Sequence, residues 1–342
     1  MTRRRRQLRL AVPAALLCLV ILAILIASAG STSSSNGPHS NGLAHAARFS
    51  DRLAAVAPAL RQRRIGMLPA PLQDAATAPL GAGSLVLLGG LDSSDTSTTA
   101  ITVLAAGRID GSGRLPEAQH DAQGASLGGD VYVFGGGQFS SYDHILRFDP
   151  ASGRVSVVGH LPQPASDVAV TALAGTAYIV GGYNGQRALD TILAWRPGGN
   201  PTVVGRLPAG LRYAAVAATS SQVIIAGGST EAGASRAILS FDPATGRVTQ
   251  IGSLPHPLTH ASAASLASRI YVLGGRGSAP SSQTSAILSI DPNSGQVHLA
   301  GRLALPLSDA AIATVGGQII LAGGQSATGT QSSIFALTPL SG

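Results

Sequence analysis

The 342-residue sequence contains one cysteine, Cys18, 13 aromatic residues and no lysine. A single cysteine excludes a disulfide framework, and it excludes a cysteine-based metal site in the rest of the chain. Charged residues make up only 11% of the sequence. So few charges leave little material for the polar faces of amphipathic helices.

The chain is instead rich in turn-forming residues, with 43 glycines and 20 prolines. A hydrophobic content of 45% is enough to build a core, which excludes wholesale disorder. Many short strands joined by tight turns fit this composition, so we expect an all-β fold.

The formal charge of +7 is unevenly distributed. Ten of the 23 arginines precede residue 65, whereas residues 65–342 hold 13 arginines and 15 acidic residues, a net charge of −2. Nucleic-acid binding needs a concentrated basic face. We therefore expect no nucleic-acid partner.

The first 29 residues resemble a membrane-targeting segment. A basic flank at 1–9 carries five arginines, and residues 10–29, LAVPAALLCLVILAILIASA, are uncharged. Twenty apolar residues in a helix span about 30 Å, the thickness of a bilayer core. The positive-inside rule keeps residues 1–9 in the cytoplasm and predicts an extracytoplasmic C-terminal domain on a single-pass anchor.

A cleaved signal peptide is the alternative, because Ala27, Ser28 and Ala29 form an A-x-A pattern before Gly30. The protein is then secreted rather than anchored. In both cases residues 30–59 are expected to form a flexible linker, since they begin with the Ser/Gly/Asn-rich run GSTSSSNGPHSNGL.

The rest of the chain, residues 60–342, is built from a repeat. A Gly-Gly pair closes an apolar run six times, at intervals of 46 to 49 residues, with first glycines Gly89, Gly135, Gly181, Gly227, Gly274 and Gly323. Such self-similarity is typical of repeat folds. In each unit a Leu-Pro step and an Ala/Val-rich run precede the Gly-Gly strand, and a polar loop and another strand follow.

An Asp-Pro-x-Ser/Thr-Gly turn ends this pattern at 149–153, 242–246 and 291–295. Aspartate can cap backbone amides there, proline presets φ, and glycine accepts a positive φ. Four strands per unit make a small antiparallel sheet, and six such sheets predict a six-bladed propeller.

These motifs resemble the kelch family, which has a double glycine after a strand of the form xYVxGG, here at 131–136, 177–182 and 270–275. The FDP turns at 148–150 and 241–243 match as well. The resemblance implies a kelch-type β-propeller. The tryptophan usual in the outer strand of the family is replaced by Val155, Val203, Val248 and Val297.

The last repeat ends before its fourth strand. Residues 61–69, RQRRIGMLP, match residues 154–162, RVSVVGHLP, position by position. We therefore expect an N-terminal strand to complete the last blade and close the ring, which removes the open sheet edges.

Two groups of residues are candidates for ligand binding. One is expected to ring a channel mouth just before each innermost strand: Asp74, Asp121, Asp167, Tyr213, His260 and Asp309. They can bind a polar ligand or a cation, or satisfy backbone amides where the chain enters the strand. The other group lies in the loops after Gly-Gly, which in kelch domains often share a ligand face: Phe139, Tyr142, Tyr183, Asn184, Arg187, Arg236 and Arg276.

No catalytic constellation or cofactor motif stands out. Histidines lack metal-binding spacing, and of them only His120, His256 and His260 are expected near the channel mouth. Copper radical oxidases of kelch type need a cysteine that the globular region lacks. The sequence therefore predicts a binding or scaffold module for protein or glycan, without cofactor or metal. The alternative is a sugar-active enzyme similar to sialic-acid mutarotases, although Glu117 and Glu231 are the only glutamates.

Overall fold

The computed structural model describes residues 59–340, in which every regular element is a β-strand. The all-β prediction is confirmed for this part of the chain. The basic flank 1–9, the apolar segment 10–29 and nearly all of the linker lie outside the described residues. Within residues 59–340, no helix is long and apolar enough to cross a membrane.

The strands are numbered in chain order. The first eight are β1 (Leu60–Met67), β2 (Ala76–Leu80), β3 (Ser84–Leu88), β4 (Thr98–Ala105), β5 (Arg108–Leu127), β6 (Asp130–Gly137), β7 (His144–Asp149) and β8 (Arg154–His160). The next ten are β9 (Ala169–Leu173), β10 (Thr176–Val180), β11 (Thr191–Trp195), β12 (Thr202–Arg206), β13 (Ala215–Ala218), β14 (Val223–Ala226), β15 (Ser229–Thr230), β16 (Gly233–Ala234), β17 (Ala237–Asp242) and β18 (Arg247–Ser253).

The last nine are β19 (Ser262–Leu266), β20 (Arg269–Leu273), β21 (Ala286–Ile290), β22 (Val297–Arg302), β23 (Ala311–Val315), β24 (Gln318–Ala322), β25 (Gln325–Ser326), β26 (Gly329–Thr330) and β27 (Ser333–Pro339). Four sheets have four strands, in the orders β9 to β12, β13-β14-β17-β18, β19 to β22 and β1-β27-β24-β23. Strands β2 to β8 form one seven-stranded sheet, and β15-β16 and β25-β26 are small ribbons.

The predicted pairing of the N-terminal strand with the last repeat is confirmed. Strand β1 pairs antiparallel with β27, from Leu60 opposite Pro339 to Met67 opposite Ser333. A register shift between Arg64 and Gly66 bends the strand. Leu60 is buried in a cluster with Leu337 of the same sheet and Ile287 of the neighbouring sheet.

Within the part of the chain that the structure describes, the core consists of six hydrophobic clusters. In one of them Trp195 of β11 meets Tyr132 and Phe134 of β6 edge to face, with ring centroids 4.8 and 5.4 Å apart. Buried apolar area and aromatic packing of this kind hold neighbouring sheets together without disulfides.

The Gly-Gly pairs lie at close backbone contacts between neighbouring repeats. Gly181 has φ +61°, and a Cβ there would collide with the carbonyl oxygen of Leu211. In the last Gly-Gly pair, the amide of Gly324 donates a hydrogen bond of 2.8 Å to the carbonyl of Leu72. A Gly-Gly contact between neighbours thus also joins the last sheet to the first.

The Asp-Pro turns have the predicted geometry. In the turn 149–153 the Asp149 carboxylate accepts hydrogen bonds from the amide of Ala151 at 2.9 Å and the hydroxyl of Ser152 at 2.7 Å. Gly153 follows at φ +69°. These hydrogen bonds, that of Ser152 foremost, lower the pKa of Asp149.

Candidate functional site

The six predicted mouth residues are brought together as one ring. All six have φ between 53° and 59°, which is the left-handed region. This conformation is uncommon for residues other than glycine, and aspartate and histidine are among the residues that adopt it most readily. We call these residues the ring: Asp74, Asp121, Asp167, Tyr213, His260 and Asp309.

Backbone hydrogen bonds hold the ring in this conformation. The amide of each ring residue donates to the carbonyl of the ring residue before it, at 2.9 to 3.2 Å, and Asp74 closes the circle by donating to Asp309. The backbone amides are therefore satisfied by backbone. The ring side chains are therefore not needed to satisfy these amides.

Four of the six ring residues are carboxylic and two are aromatic. Asp309, Asp74, Asp121 and Asp167 follow one another around the ring, and Tyr213 and His260 complete it. The rings of Tyr213 and His260 stack, with centroids 3.7 Å apart and planes inclined by 23°. The Tyr213 hydroxyl donates to Oδ2 of Asp121 at 3.1 Å and so links the aromatic pair to the carboxyls.

Arg212 is a site residue that is not among the candidates predicted from the sequence. Its Nη2 forms an ion pair with Oδ2 of the buried Asp167 and lies 3.3 Å from the Tyr213 hydroxyl. Its guanidinium also covers the rings of Tyr183 and Tyr213, at 4.4 and 4.9 Å from their centroids. The sequence does distinguish Arg212, because among the six positions directly before a ring residue only position 212 holds arginine.

Arg276 and Thr259 define the protonation state of His260. Nη2 of Arg276 lies 3.0 Å from Nε2 of His260, and arginine can only donate, so Nε2 accepts. Nδ1 then carries the proton and donates to the Thr259 hydroxyl at 3.0 Å. Burial, reinforced by Arg276 and Arg212, lowers the pKa of His260 to about 3. The imidazole is therefore neutral.

Burial and mutual repulsion raise the pKa values of the ring carboxyls. The pKa of Asp121 is raised to about 6 by burial, with Asp309 adding to it, and that of Asp167 to about 7 by burial and by Asp121. Burial also raises the pKa values of Asp74 and Asp309. Some of the ring carboxyls therefore stay protonated near neutral pH.

The ring leads into a channel lined by small residues. The ring itself encloses a cavity of about 60 Å³, which is room for about two water molecules. A larger cavity of about 260 Å³ lies behind it, lined mainly by alanine, serine, threonine and glycine of β2, β5, β9, β13, β19 and β23. A ligand larger than a few atoms must therefore rest on the mouth and insert a small group at most.

The structure brings two of the predicted loop residues to the ring. Tyr183 reaches it through Arg212, and Arg276 through His260. The others make contacts elsewhere or are exposed. Oδ1 of Asn184 accepts a hydrogen bond of 2.9 Å from the amide of Arg187. The Tyr142 hydroxyl donates to the carbonyl of Ala118, and the Arg236 guanidinium donates to the carbonyl of Leu254. The Arg187 side chain is exposed, and Phe139 is 96% exposed.

Of the histidines and glutamates considered in the sequence analysis, one more borders the ring and three are exposed. Nε2 of His120 lies 3.5 Å from Oδ2 of Asp121, so His120 borders the ring as expected. His256, Glu117 and Glu231 are exposed. Among residues 59–340, no group of three or more His, Asp or Glu side chains has the geometry to hold a metal ion.

Comparison with known proteins identifies the fold. No protein-family model matches the chain, and no curated protein sequence matches it. A solved structure titled "Structure of YjhT" is similar over 80% of this chain and 96% of its own, with a TM-score of 0.70 and 16% sequence identity. At this identity the likeness concerns the fold alone, and the chain has an all-β β-propeller fold.

Proposed function

We propose that this propeller is a binding module that holds a polar ligand, a glycan or a protein segment, at the mouth bordered by the ring. The observation that carries the proposal is the closed backbone ring, which leaves six polar side chains facing one opening beside Arg212 and Arg276. Polar side chains that converge on a concave surface, and that are not needed as hydrogen-bond partners of the ring amides, are typical of ligand sites.

The chemistry of the mouth suits hydroxyl-rich ligands. Partly protonated carboxyls both donate and accept hydrogen bonds, as the hydroxyl groups of a sugar do. Arg212 and Arg276 add donors at the rim. Because the ring cavity is small, the loops after Gly-Gly supply the remaining contact area.

We further propose that the propeller is of the kelch type with six blades. On this view the seven-stranded sheet is two blades that share β5. Residues 108–119 of β5 pair with β4, whereas residues 120–127 pair with β6. A hydrophobic cluster packs β2, β3 and β4 against β6 and β7, as clusters elsewhere pack one sheet on the next. The six-membered backbone ring supports the same count.

The proposal includes a location outside the cytoplasm, on a membrane anchor at residues 10–29 or secreted after cleavage at Ala29. Its support is the sequence alone, namely the basic flank and the apolar run that follows it. Membrane fractionation of the full chain, with the N-terminus of the recovered protein sequenced, tests it. A mature N-terminus at Gly30 in the soluble fraction contradicts the anchor, and protease-resistant protein in intact cells contradicts export.

A second candidate function is a sugar-active enzyme, such as a sialic-acid mutarotase-like epimerase. The observation that favours it is a pair of carboxyls with pKa values near neutrality, Asp121 and Asp167, next to the Tyr213 hydroxyl. General acid–base catalysis works best with groups of this kind. This function would use the ring carboxyls rather than Glu117 or Glu231.

Binding and turnover measured together separate the two functions. The full chain in detergent is screened against glycans and envelope proteins, and any ligand is then followed for chemical change. Arg212→Gln and Tyr213→Ala are expected to weaken binding at least about tenfold, the usual effect of losing a buried charged or aromatic contact. Arg154→Gln, on the exposed outer strand β8, is the control. Turnover lost in Asp121→Asn would overturn the binding-only function.

A further inference from the structure

The outer edge around β1 carries five exposed arginines. Arg61, Arg63 and Arg64 lie on β1, Arg302 ends β22, and Arg108 begins β5. We call this group the basic edge. Within residues 59–340, none of these five side chains has a hydrogen-bond or ion-pair partner, whereas Arg147 and Arg206 bind Asp130 and Asp190.

The packing places these arginines next to one another. A Cβ on Gly301 would lie 3.0 Å from the carbonyl oxygen of Leu60, so Arg302 flanks the start of β1. A Cβ on Gly107 would lie 2.8 Å from the carbonyl oxygen of Ile65, so Arg108 flanks its end. The edge is therefore continuous from β22 across β1 to β5.

The surroundings of the basic edge are short of acid and carry exposed apolar side chains. Asp110 is the single acidic residue among residues 59–73, 105–114 and 297–304. Met67 is 54% exposed, Ile109 49% and Leu299 59%. The rest of the described domain is acidic, since 10 arginines and 14 acidic residues of residues 59–340 lie outside these three segments.

We propose that the basic edge docks on the surface of a phospholipid bilayer that contains anionic lipids. Arginines attract anionic headgroups, and exposed apolar side chains enter the interfacial layer. The proposal rests on the membrane anchor of the proposed function. Of all the strands, β1 is nearest in sequence to the predicted anchor at 10–29. Tethering therefore raises the effective concentration of lipid more at the basic edge than at the other surfaces of the propeller.

Docking orients the propeller relative to the membrane. The ring lies at one end of the central channel, whereas the basic edge belongs to the outermost strands, which lie at the periphery of the sheets. A propeller that rests on its rim keeps its channel mouth clear of the bilayer. The ligand site thus stays open to partners in the extracytoplasmic space.

The test uses the full chain with Cys18→Ser, reconstituted in lipid nanodiscs and labelled with an environment-sensitive dye at Ile109→Cys. The discs contain phosphatidylcholine alone or mixed with phosphatidylglycerol. A blue shift of the dye that needs phosphatidylglycerol and disappears at high salt is expected. Val203→Cys on β12 is the control label, because Val203 is 52% exposed on an outer strand away from β1.

Charge variants complete the test. Arg63→Gln with Arg64→Gln is expected to lower the docking constant about thirtyfold, from the usual contribution of two basic residues at an anionic surface. Arg154→Gln with Arg247→Gln removes the same charge from other exposed outer-strand sites and should change the docking constant less than about twofold. A chain that enters the discs but shows no lipid-dependent shift overturns docking and leaves the anchor intact. A chain that does not enter the discs overturns both.

Discussion

The backbone amide of Asp74 donates a hydrogen bond of 3.0 Å to the carbonyl of Asp309, so that the first ring residue in the sequence lies beside the last. This bond and the pairing of β1 with β27 are two separate closures of one fold, at the axis and at the rim. A closed ring of sheets leaves no open sheet edge between its first and last units. Stability of the whole domain should therefore depend on both contacts.

Removal of the rim closure should destabilise the whole domain. A chain that begins at Leu68 lacks β1 and should have a much lower melting temperature than one that begins at Phe49. Leu60→Ala deletes a side chain that is 5% exposed and should cost about 2–5 kcal/mol of unfolding free energy. Met67→Ala, on the same strand but 54% exposed, should cost less than about 0.5 kcal/mol. Equal melting temperatures for the two chains would falsify closure by β1.

A Gly-Gly position should not accept a side chain. Gly323 has φ +67°, and a Cβ there would collide with the carbonyl oxygen of Leu72. Gly323→Ala should therefore lower the unfolding free energy by at least about 2 kcal/mol. Gly83→Ala is the matched control, because a Cβ at Gly83 meets open space and its φ is not positive. Similar urea midpoints for both variants would contradict this role of the pair.

The Tyr213 hydroxyl should control the ionisation of Asp121. Its hydrogen bond to Asp121 lowers a pKa that burial raises to about 6. Tyr213→Phe keeps the stack on His260 but removes the bond, so the pKa of Asp121 should rise further. Carbon-13 NMR titration of the carboxyls measures this. Tyr178→Phe, whose ring packs on Phe241 away from the ring, should leave the pKa of Asp121 in place.

Asp167 should make the domain less stable as the pH rises. Its pKa is about 7 in the fold against 3.8 as the ordinary value, so between these values the folded state binds more protons than the unfolded state. The free energy of unfolding therefore falls as the pH rises from about 4 to about 7, by about 1.4 kcal/mol per pH unit at most. Asp167→Asn should flatten this slope in urea denaturation between about pH 5 and about pH 8.

Asp149 provides a control of opposite sign. Its pKa is lowered, so its contribution to stability is present above the ordinary value of 3.8 and is lost only as the pH falls below it. Asp149→Asn should leave the slope between about pH 5 and about pH 8 unchanged. If Asp167→Asn and Asp149→Asn behave alike in that range, Asp167 does not hold a proton in the folded state near neutral pH.

The sequence by itself determined the features that repeat at short range. The positions of the Gly-Gly strands, the Asp-Pro turns and the six ring residues follow from residue types at fixed spacing, because each unit uses the same local geometry. The pairing of the first strand with the last repeat could also be predicted from the sequence, since 61–69 align with 154–162 and share the Arg, Gly, Leu and Pro of that segment at the same positions.

Only the tertiary structure decided what the ring residues do with one another. Asp121 and Tyr213 are 92 positions apart and share a hydrogen bond, and Arg212 contacts Asp167 and Tyr183 of the preceding repeat. The pKa values of the carboxyls likewise depend on burial at the axis and on charges from several repeats. A repeat pattern describes one unit at a time, whereas these interactions exist only where several units meet, so the structure alone shows them.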